Sequence, residues 1–465
     1  MNFLPPLEKA NLPSPPKLRQ LIGPSFIVLG LGLGSGELIL WPYLTSNFGL
    51  GIIWGAVLGI TFQFFMNMEI ERYALVNGES IFVGFARKAR WLPLWFLAST
   101  FFPWIWPGII GSAAAIGGSV IGLDANHSHY LAIALLIIIG LILSLGPVLY
   151  KIQEKLQMWF IILGAPAIFI LAILFATPTD WGALAQGVIG RGDGYLFLPA
   201  GIPLASFLAA LAYSGAGGNL NLAQSYYIRE KGYGMGKFMG RITSLLTGKK
   251  ETLKVSGVTF NPEGNDLSDF KKWWRLINLE HLFVFLIAGM ATILLLGLLA
   301  FSTTYGLAGT EQGINFVILE AQIIGLRFFP FLGKIFLIIV SLMLFATHLS
   351  VLDATSRILA ENIILLASHK FKAENLRPLF YTVLWVQIFT GIIIFLFGIR
   401  EPLTLLTISA VLNAVAMFAH LGLTLWLNTT SLHESLKPSL FRRLAMATAF
   451  IFFGAFSLVT FLNLR

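Results

Sequence analysis

The 465-residue chain contains no cysteine, seven histidines and few charges, only 11% of its residues being Asp, Glu, Lys or Arg. Without cysteine there is no disulfide framework, thiolate metal site or thiol redox chemistry. A soluble domain usually carries about 25% charged residues, so the scarcity of charge excludes an ordinary soluble protein. No His-Glu-x-x-His, P-loop or Gly-x-Ser-x-Gly pattern occurs, and the histidines are scattered, which removes the common hydrolase and nucleotide-binding readings. The chain is not read as an enzyme. His127 and His129 form a weak metal signal in a short loop and are read as polar loop residues. The first twenty residues, rich in proline, lack the apolar core of a secretory signal and are read as a cytoplasmic tail.

What is present is apolar sequence: 57% of residues are hydrophobic and the mean hydropathy is +0.81. Runs long enough to cross a hydrocarbon core, about 20 residues each, recur from end to end. Eleven spans are expected, at 21–44, 48–74, 94–121, 130–149, 157–176, 199–228, 276–303, 331–366, 379–399, 403–427 and 441–463. The chain is thus read as a tail, 1–20, followed by one transmembrane domain, 21–465. With the amino terminus in the cytoplasm and every span crossing, only Arg191, Arg327, Lys334, Arg400 and Arg465 of the 31 Lys and Arg fall outside. That asymmetry sets the orientation and places the carboxyl terminus outside. It also accounts for the net charge of +9 without nucleic acid. The partners expected are a lipid bilayer, with a bacterial inner membrane as the location, and a small inorganic ion. Trp41, Tyr43, Trp91, Trp95, Trp181, Trp273 and Trp274 lie near predicted span ends and are read as interfacial anchors. The basic stretch at 229–275 is read as a cytoplasmic loop.

Two spans are interrupted. In "LGLGLGSGELILWPYL", residues 29–44, glycines stand at every second position and are followed by Glu37; in "LAALAYSGAGGNLNLAQSYYIREKG", residues 208–232, three glycines fall between Ser214 and Gly218. Alternate residues lie on different helix faces, so these glycines do not make one packing stripe, and a broken helix is the preferred reading over close packing. A break frees backbone groups that lipid cannot satisfy, and it survives only against protein or a polar cavity. Breaks in spans one and six occupy matching places if spans one to five (21–176) and six to ten (199–427) are inverted repeats, with 441–463 an extra helix. Such matched interruptions mark a secondary transporter's binding site.

On these stretches the chain resembles the Nramp family of proton-coupled divalent metal transporters, which have a LeuT-type 5+5 inverted-repeat fold with helices 1 and 6 broken. "GPSFIVLGLGLGSGE", residues 23–37, aligns with the family's first-span pattern, matching at Gly23, Pro24 and Gly36. The family's metal-binding Asp falls on Gly34 and its Asn on Glu37. Anchoring the sixth span on Asn219 places Ala216 at the family's methionine and Gly217 and Gly218 at its Pro-His. The principal carboxylate and the soft sulfur are both missing, so the resemblance implies the fold and the place of the site but not the family's ligands.

The expected substrate site is therefore Gly34, Ser35, Gly36 and Glu37 with Tyr213, Ser214, Gly215, Ala216, Gly217, Gly218 and Asn219, Ser35 and Ser214 acting as hydroxyl donors and Asn219 as an amide ligand. Loss of an Asp and a Met with gain of glycine and serine favours a small anion such as bicarbonate. Glu37 argues against this unless it is protonated or turned away. The alternative is Mg²⁺ or Mn²⁺, with Glu37 and Asn219 as metal ligands; a channel or a non-transporting sensor of the same fold also fits. No cofactor is expected, while H⁺ or Na⁺ coupling, as in a symporter, fits the chain. His348, Asn413 and His420 are candidates for the pathway or coupling, each with interhelical hydrogen bonding as its plainer role. Asp353 and Arg357, four apart, are expected to form an internal ion pair.

Overall fold

The computed structural model describes residues 4–16, 24–32, 34–145, 158, 164, 166–239 and 256–463. The end of span four, the first part of span five and much of the basic loop lie outside the described residues. Span one comprises α1 (Pro24–Gly32), a π-helical turn at Gly36–Leu40 and α2 (Trp41–Phe48). Span two is α3 (Trp54–Asn77), stopped by Gly78 in the left-handed conformation; α4 (Ile81–Lys88) follows, capped by Ser80, whose hydroxyl accepts the Val83 N–H. In span three, α5 (Leu92–Trp104) and α6 (Gly108–Val120) meet around Pro107, because proline lacks the N–H that would continue the ladder. Span four is α7 (Ser128–Leu145). Span five ends in α8 (Pro166–Phe175), from which α9 (Pro178–Val188) turns away by 115°.

Span six comprises α10 (Leu204–Ala212), a break, then α11 (Asn219–Leu222) and α12 (Gln224–Lys231). Span seven runs from α13 (Gly264–His281) through a π-helical segment, Leu282–Ala288, into α14 (Gly289–Thr304). After α15 (Asn315–Arg327) come α16 (Pro330–Leu366), α17 (Leu376–Leu396), α18 (Pro402–Ser431) and α19 (Leu440–Asn463). Eight helices among the described residues are long and apolar enough to cross a membrane, and the bent pair α8 and α9 makes a ninth candidate. This is an integral membrane protein.

Four features depart from the sequence reading. Helix α13 carries span seven back to Gly264, through sequence read as loop, and α9 and α15 are helices in stretches that lie outside the expected spans. The amino-terminal segment is docked rather than free: β1 (Glu8–Lys9) pairs in parallel with β2 (Val258–Thr259), and Leu12 is buried. Trp41 and Trp273 are core residues instead of interfacial anchors. Their indole N–H groups donate to Ser214 Oγ (3.0 Å) and to the Pro13 carbonyl (2.6 Å), and that pairing is what permits an indole to be buried.

Charged side chains gather inside the bundle at its amino-terminal face. Arg357 binds Asp353 (2.9 Å) and Glu230, Arg229 binds Glu361 (3.3 Å), and Arg72 binds Glu69 (2.8 Å), all nearly inaccessible to solvent. The expected Asp353–Arg357 pair is thus extended by Glu230 into a triad linking α12 to α16.

Candidate functional site

Just past the end of α1, span one meets a side chain of α16 and the backbone at the end of α10. A Cβ on Gly34 would stand 2.4 Å from the Thr347 side chain of α16, and one on Gly36 would stand 1.6 Å from the Tyr213 carbonyl oxygen. Both glycines therefore serve close approach as well as the break. Thr347 Oγ1 donates to the Gly30 carbonyl (3.1 Å), satisfying one acceptor at the end of α1. Ser35 has helical dihedrals and makes no side-chain cap. Glu37 is wholly buried in the π-helical turn, but its Oε1 lies beside Gly289 of α14, 3.7 Å from where a Cβ would be, and neither carboxyl oxygen has a hydrogen-bond partner.

The second break is held open by a residue of α3. Gln63 Nε2 donates to the Ala212 carbonyl (3.0 Å) and Gln63 Oε1 accepts the Gly217 N–H (3.1 Å), so one amide replaces hydrogen bonds that the helix has lost. Gly217 and Gly218 have φ of 77° and 55°, a region costly for residues with a Cβ. Ser214 Oγ donates to the Ala210 carbonyl (3.0 Å) while accepting from Trp41. Its proton is committed to the backbone, which takes it out of the hydroxyl donors expected for a ligand. Gly215 packs against Gln63 and Phe285, and Ala216 is buried.

The side chains around Tyr213 and Asn219 are neutral and polar. The Tyr213 hydroxyl is hydrogen-bonded to Ser409 Oγ (2.6 Å) and accepts from Asn413 Nδ2 (2.9 Å), with Trp104 stacked over the Tyr213 ring at 5.5 Å. Asn413 Oδ1 abuts Gly218, where a Cβ would come within 2.0 Å. Asn219 Nδ2 donates to Ser99 Oγ (3.0 Å) and Thr100 Oγ1 of α5. Asn219 Oδ1 and Asn413 Oδ1 have no partner.

The fold thus brings Gly36, Gly217 and Asn413 against Tyr213 and Asn413 against Gly218, seats Gly34 on Thr347 and Asn219 on α5, and places Glu37 Oε1 beside Gly289 of α14. His420 is buried on α18, where its Nε2 accepts from Trp95 Nε1 (3.3 Å), an interhelical bond. His348 is buried on α16 with Nδ1 unpartnered. Among the described residues no group of three His, Cys, Asp or Glu side chains is placed to hold a metal ion. The sequence reading missed Gln63, Ser99, Thr100, Trp104, Thr347 and Ser409. Gln63 alone carried a signal, an amide in the apolar run "GITFQFF".

No family model matches the chain, and no curated protein does. Solved structures do. A manganese transporter from Eremococcus coleocola, in a mutant form, superposes with a TM-score of 0.65 at 13% identity, over 98% of this chain and 89% of that one. Mhp1, a nucleobase-cation-symport-1 family transporter in a closed conformation with bromovinylhydantoin bound, superposes with a TM-score of 0.54 at 13% identity, over 99% and 94% of the two chains. The shared property is architecture: this chain has the all-α, LeuT-type membrane fold.

Proposed function

We propose that this protein is a secondary transporter that moves a small inorganic ion by alternating access, and that its substrate is a small oxyanion such as bicarbonate. The site lies between Gly34–Gly36 and Tyr213–Asn219 within one transmembrane domain, with the amino-terminal face toward the cytoplasm as the Lys and Arg distribution requires. The transporter reading is supported by the matched breaks in spans one and six. The observation that carries the substrate is the neutral polar character of the second break and its neighbours, Tyr213 with Ser409 and Asn413 and Asn219 with Ser99 and Thr100, while Glu37 Oε1 lies beside Gly289 of α14. A divalent cation stripped of water would meet no countercharge there. A monovalent anion is held by hydroxyl and amide hydrogens that rearrange around it. An inside-negative potential opposes such an anion by about 2.3 kcal/mol per 100 mV, so net uptake requires a steep gradient, consumption inside or a coupled cation.

One observation favours a second reading. Asn219 Oδ1 and Asn413 Oδ1 are unpartnered acceptors, suited to Mg²⁺ or Mn²⁺ that keeps most of its water, and one solved structure of this fold is a manganese transporter. Proteoliposomes containing a pH dye and a divalent-cation dye separate the two. Saturable alkalinisation with bicarbonate beyond the CO₂ leak, and no metal entry, is the expected result; saturable Mg²⁺ or Mn²⁺ entry without it overturns the anion assignment.

A further inference from the structure

A cavity of about 470 Å³, a size that suits a small ligand, opens on the face of the bundle opposite the amino-terminal segment. Helix α16 fixes that placement. Ile364 and Leu365, near its end, line another cavity together with Leu4 and Pro5, and the 37 residues of the helix put Pro330 about 55 Å away, at the other face. The cavity is a trough between the end of α6, at Ser119 and Val120, residues 318–326 of α15 and residues 330–337 of α16. Small residues let α15 and α16 press together along one side of it: a Cβ on Gly333 would stand 2.2 Å from the Ala321 carbonyl oxygen, and one on Gly325 would stand 3.3 Å from Pro330 Cα.

No acid lines the trough, and Lys334 is its one charged lining residue. The surroundings of this lysine are those of lipid rather than of water. On α16 it stands between Phe331 and Ile338, with Leu342 beyond, and steps of three, four and four residues put all four side chains on one helix face. The three apolar members are exposed, Phe331 at 66%, and Leu326 at the end of α15 is 86% exposed. In a membrane protein such a stripe meets acyl chains.

Lys334 is also one of the five Lys and Arg that the span count leaves outside, and a second, Arg327, ends α15 three positions before Pro330. Arg327 lies over the Phe175 ring of α8, its guanidinium carbon 4.8 Å from the ring centre. Among the described residues neither cation forms an ion pair, and Glu320, the one acid of α15, is buried. Two cations without acids, at the border of an apolar stripe, are complementary to a negative headgroup: the lysine stem lies along apolar surface while its ammonium reaches the headgroup layer. A zwitterionic headgroup brings a phosphate whose charge is already cancelled.

We propose that this trough binds an anionic phospholipid of the leaflet opposite the amino-terminal segment, with Lys334 and Arg327 holding its phosphate and an acyl chain lying against α15 and α16. The site is independent of both substrate readings.

Native mass spectrometry of the full-length protein, in detergent with equal amounts of phosphatidylglycerol and phosphatidylcholine of the same chain length, reads the preference. The parent is expected to retain phosphatidylglycerol, with a preference that falls about fivefold in Lys334→Gln and about fivefold again when Arg327→Gln is added. Ile318→Trp fills the trough and keeps both cations, and should remove most of the preference; Arg191→Gln, which takes a cation from the connection after α9, should leave it unchanged. Melting temperatures check that each variant is folded, and if Ile318→Trp is not, Gln322→Trp at the exposed side of the trough replaces it. Equal retention of the two lipids by the parent, or an unchanged preference in the double charge variant, overturns the proposal. Loss of the preference in the charge variants alone, with none in the trough-filling variant, overturns the trough as the lipid's seat. Displacement of phosphatidylglycerol by an equimolar amount of inorganic phosphate would mean that the cations hold a free anion, and overturns the lipid as occupant.

Discussion

Gln63 and Gly217 are 154 positions apart in sequence, yet the Gln63 carboxamide accepts the Gly217 N–H at 3.1 Å and at the same time donates to the Ala212 carbonyl at 3.0 Å. A side chain of span two thus completes the backbone of span six. Gln63→Leu fills a similar volume and strands both groups, each at about 1–3 kcal/mol. A clear loss of thermal stability in detergent, with loss of flux, is the expected outcome; an unchanged melting temperature would show that the break is held by something else.

Gly36 and Gly217 should tolerate no side chain, for different reasons. A methyl group at Gly36 meets the Tyr213 carbonyl, which is backbone and has nowhere to go, whereas at Gly217 the positive φ of 77° is the obstacle. Gly36→Ala and Gly217→Val are expected to abolish transport, as is Gly215→Val, where Gln63 and Phe285 fill the space. Gly182→Ala, with no atom near the added carbon, is the control and should behave like the parent. Flux and size-exclusion profiles of the four variants measured together check this, and normal flux in both Gly215→Val and Gly217→Val would place the site elsewhere.

Glu37 distinguishes the two substrate readings. If it serves the packing of the π-helical turn against α14, Glu37→Gln keeps the apparent KM for bicarbonate within about twofold. A KM for Mn²⁺ that rises by more than about tenfold in this variant, with the protein folded, would instead make the carboxylate a ligand.

The triad of Arg357 with Asp353 and Glu230 joins α12 to α16 at the amino-terminal face. Arg357→Met leaves two buried carboxylates facing each other, and truncating one partner of such a group typically costs about 3–5 kcal/mol. Thermal denaturation should show a large loss of stability. Restoring neutrality with Asp353→Asn and Glu230→Gln in the same chain should recover most of it.

The docked amino-terminal segment gives a fifth measurable consequence. Besides the β1–β2 pairing, Leu12 N–H donates to Asp266 (3.2 Å), Ser14 Oγ to Asp269 (3.0 Å) and Trp273 Nε1 to the Pro13 carbonyl. Deleting residues 2–16 uncovers the start of α13, so amide exchange across Gly264–Phe270 should accelerate while α16 stays protected. Equal exchange in both proteins would mean that the segment contributes nothing to α13.

The sequence by itself determined the membrane class, most of the spans and the two interruptions, because hydrophobic length and glycine placement are local properties that lipid enforces along each stretch. The Asp353–Arg357 pair was legible for the same reason, the helical repeat fixing their proximity. What the local pattern could not contain was the direction of a side chain across a helix interface. Glycine spacing located a break at Gly34–Glu37 but not that Gly34 rests on Thr347 and Gly36 on Tyr213. The acid beside the break was visible; that it sits in a π-helical turn with its Oε1 beside Gly289 of α14 was not. Trp41 looked like an anchor at a span end until Ser214 gave its N–H a partner inside. The polar contacts of the second break come from three separate spans, and only packing those spans together sets Tyr213 against Ser409 and Asn413 and Asn219 against Ser99.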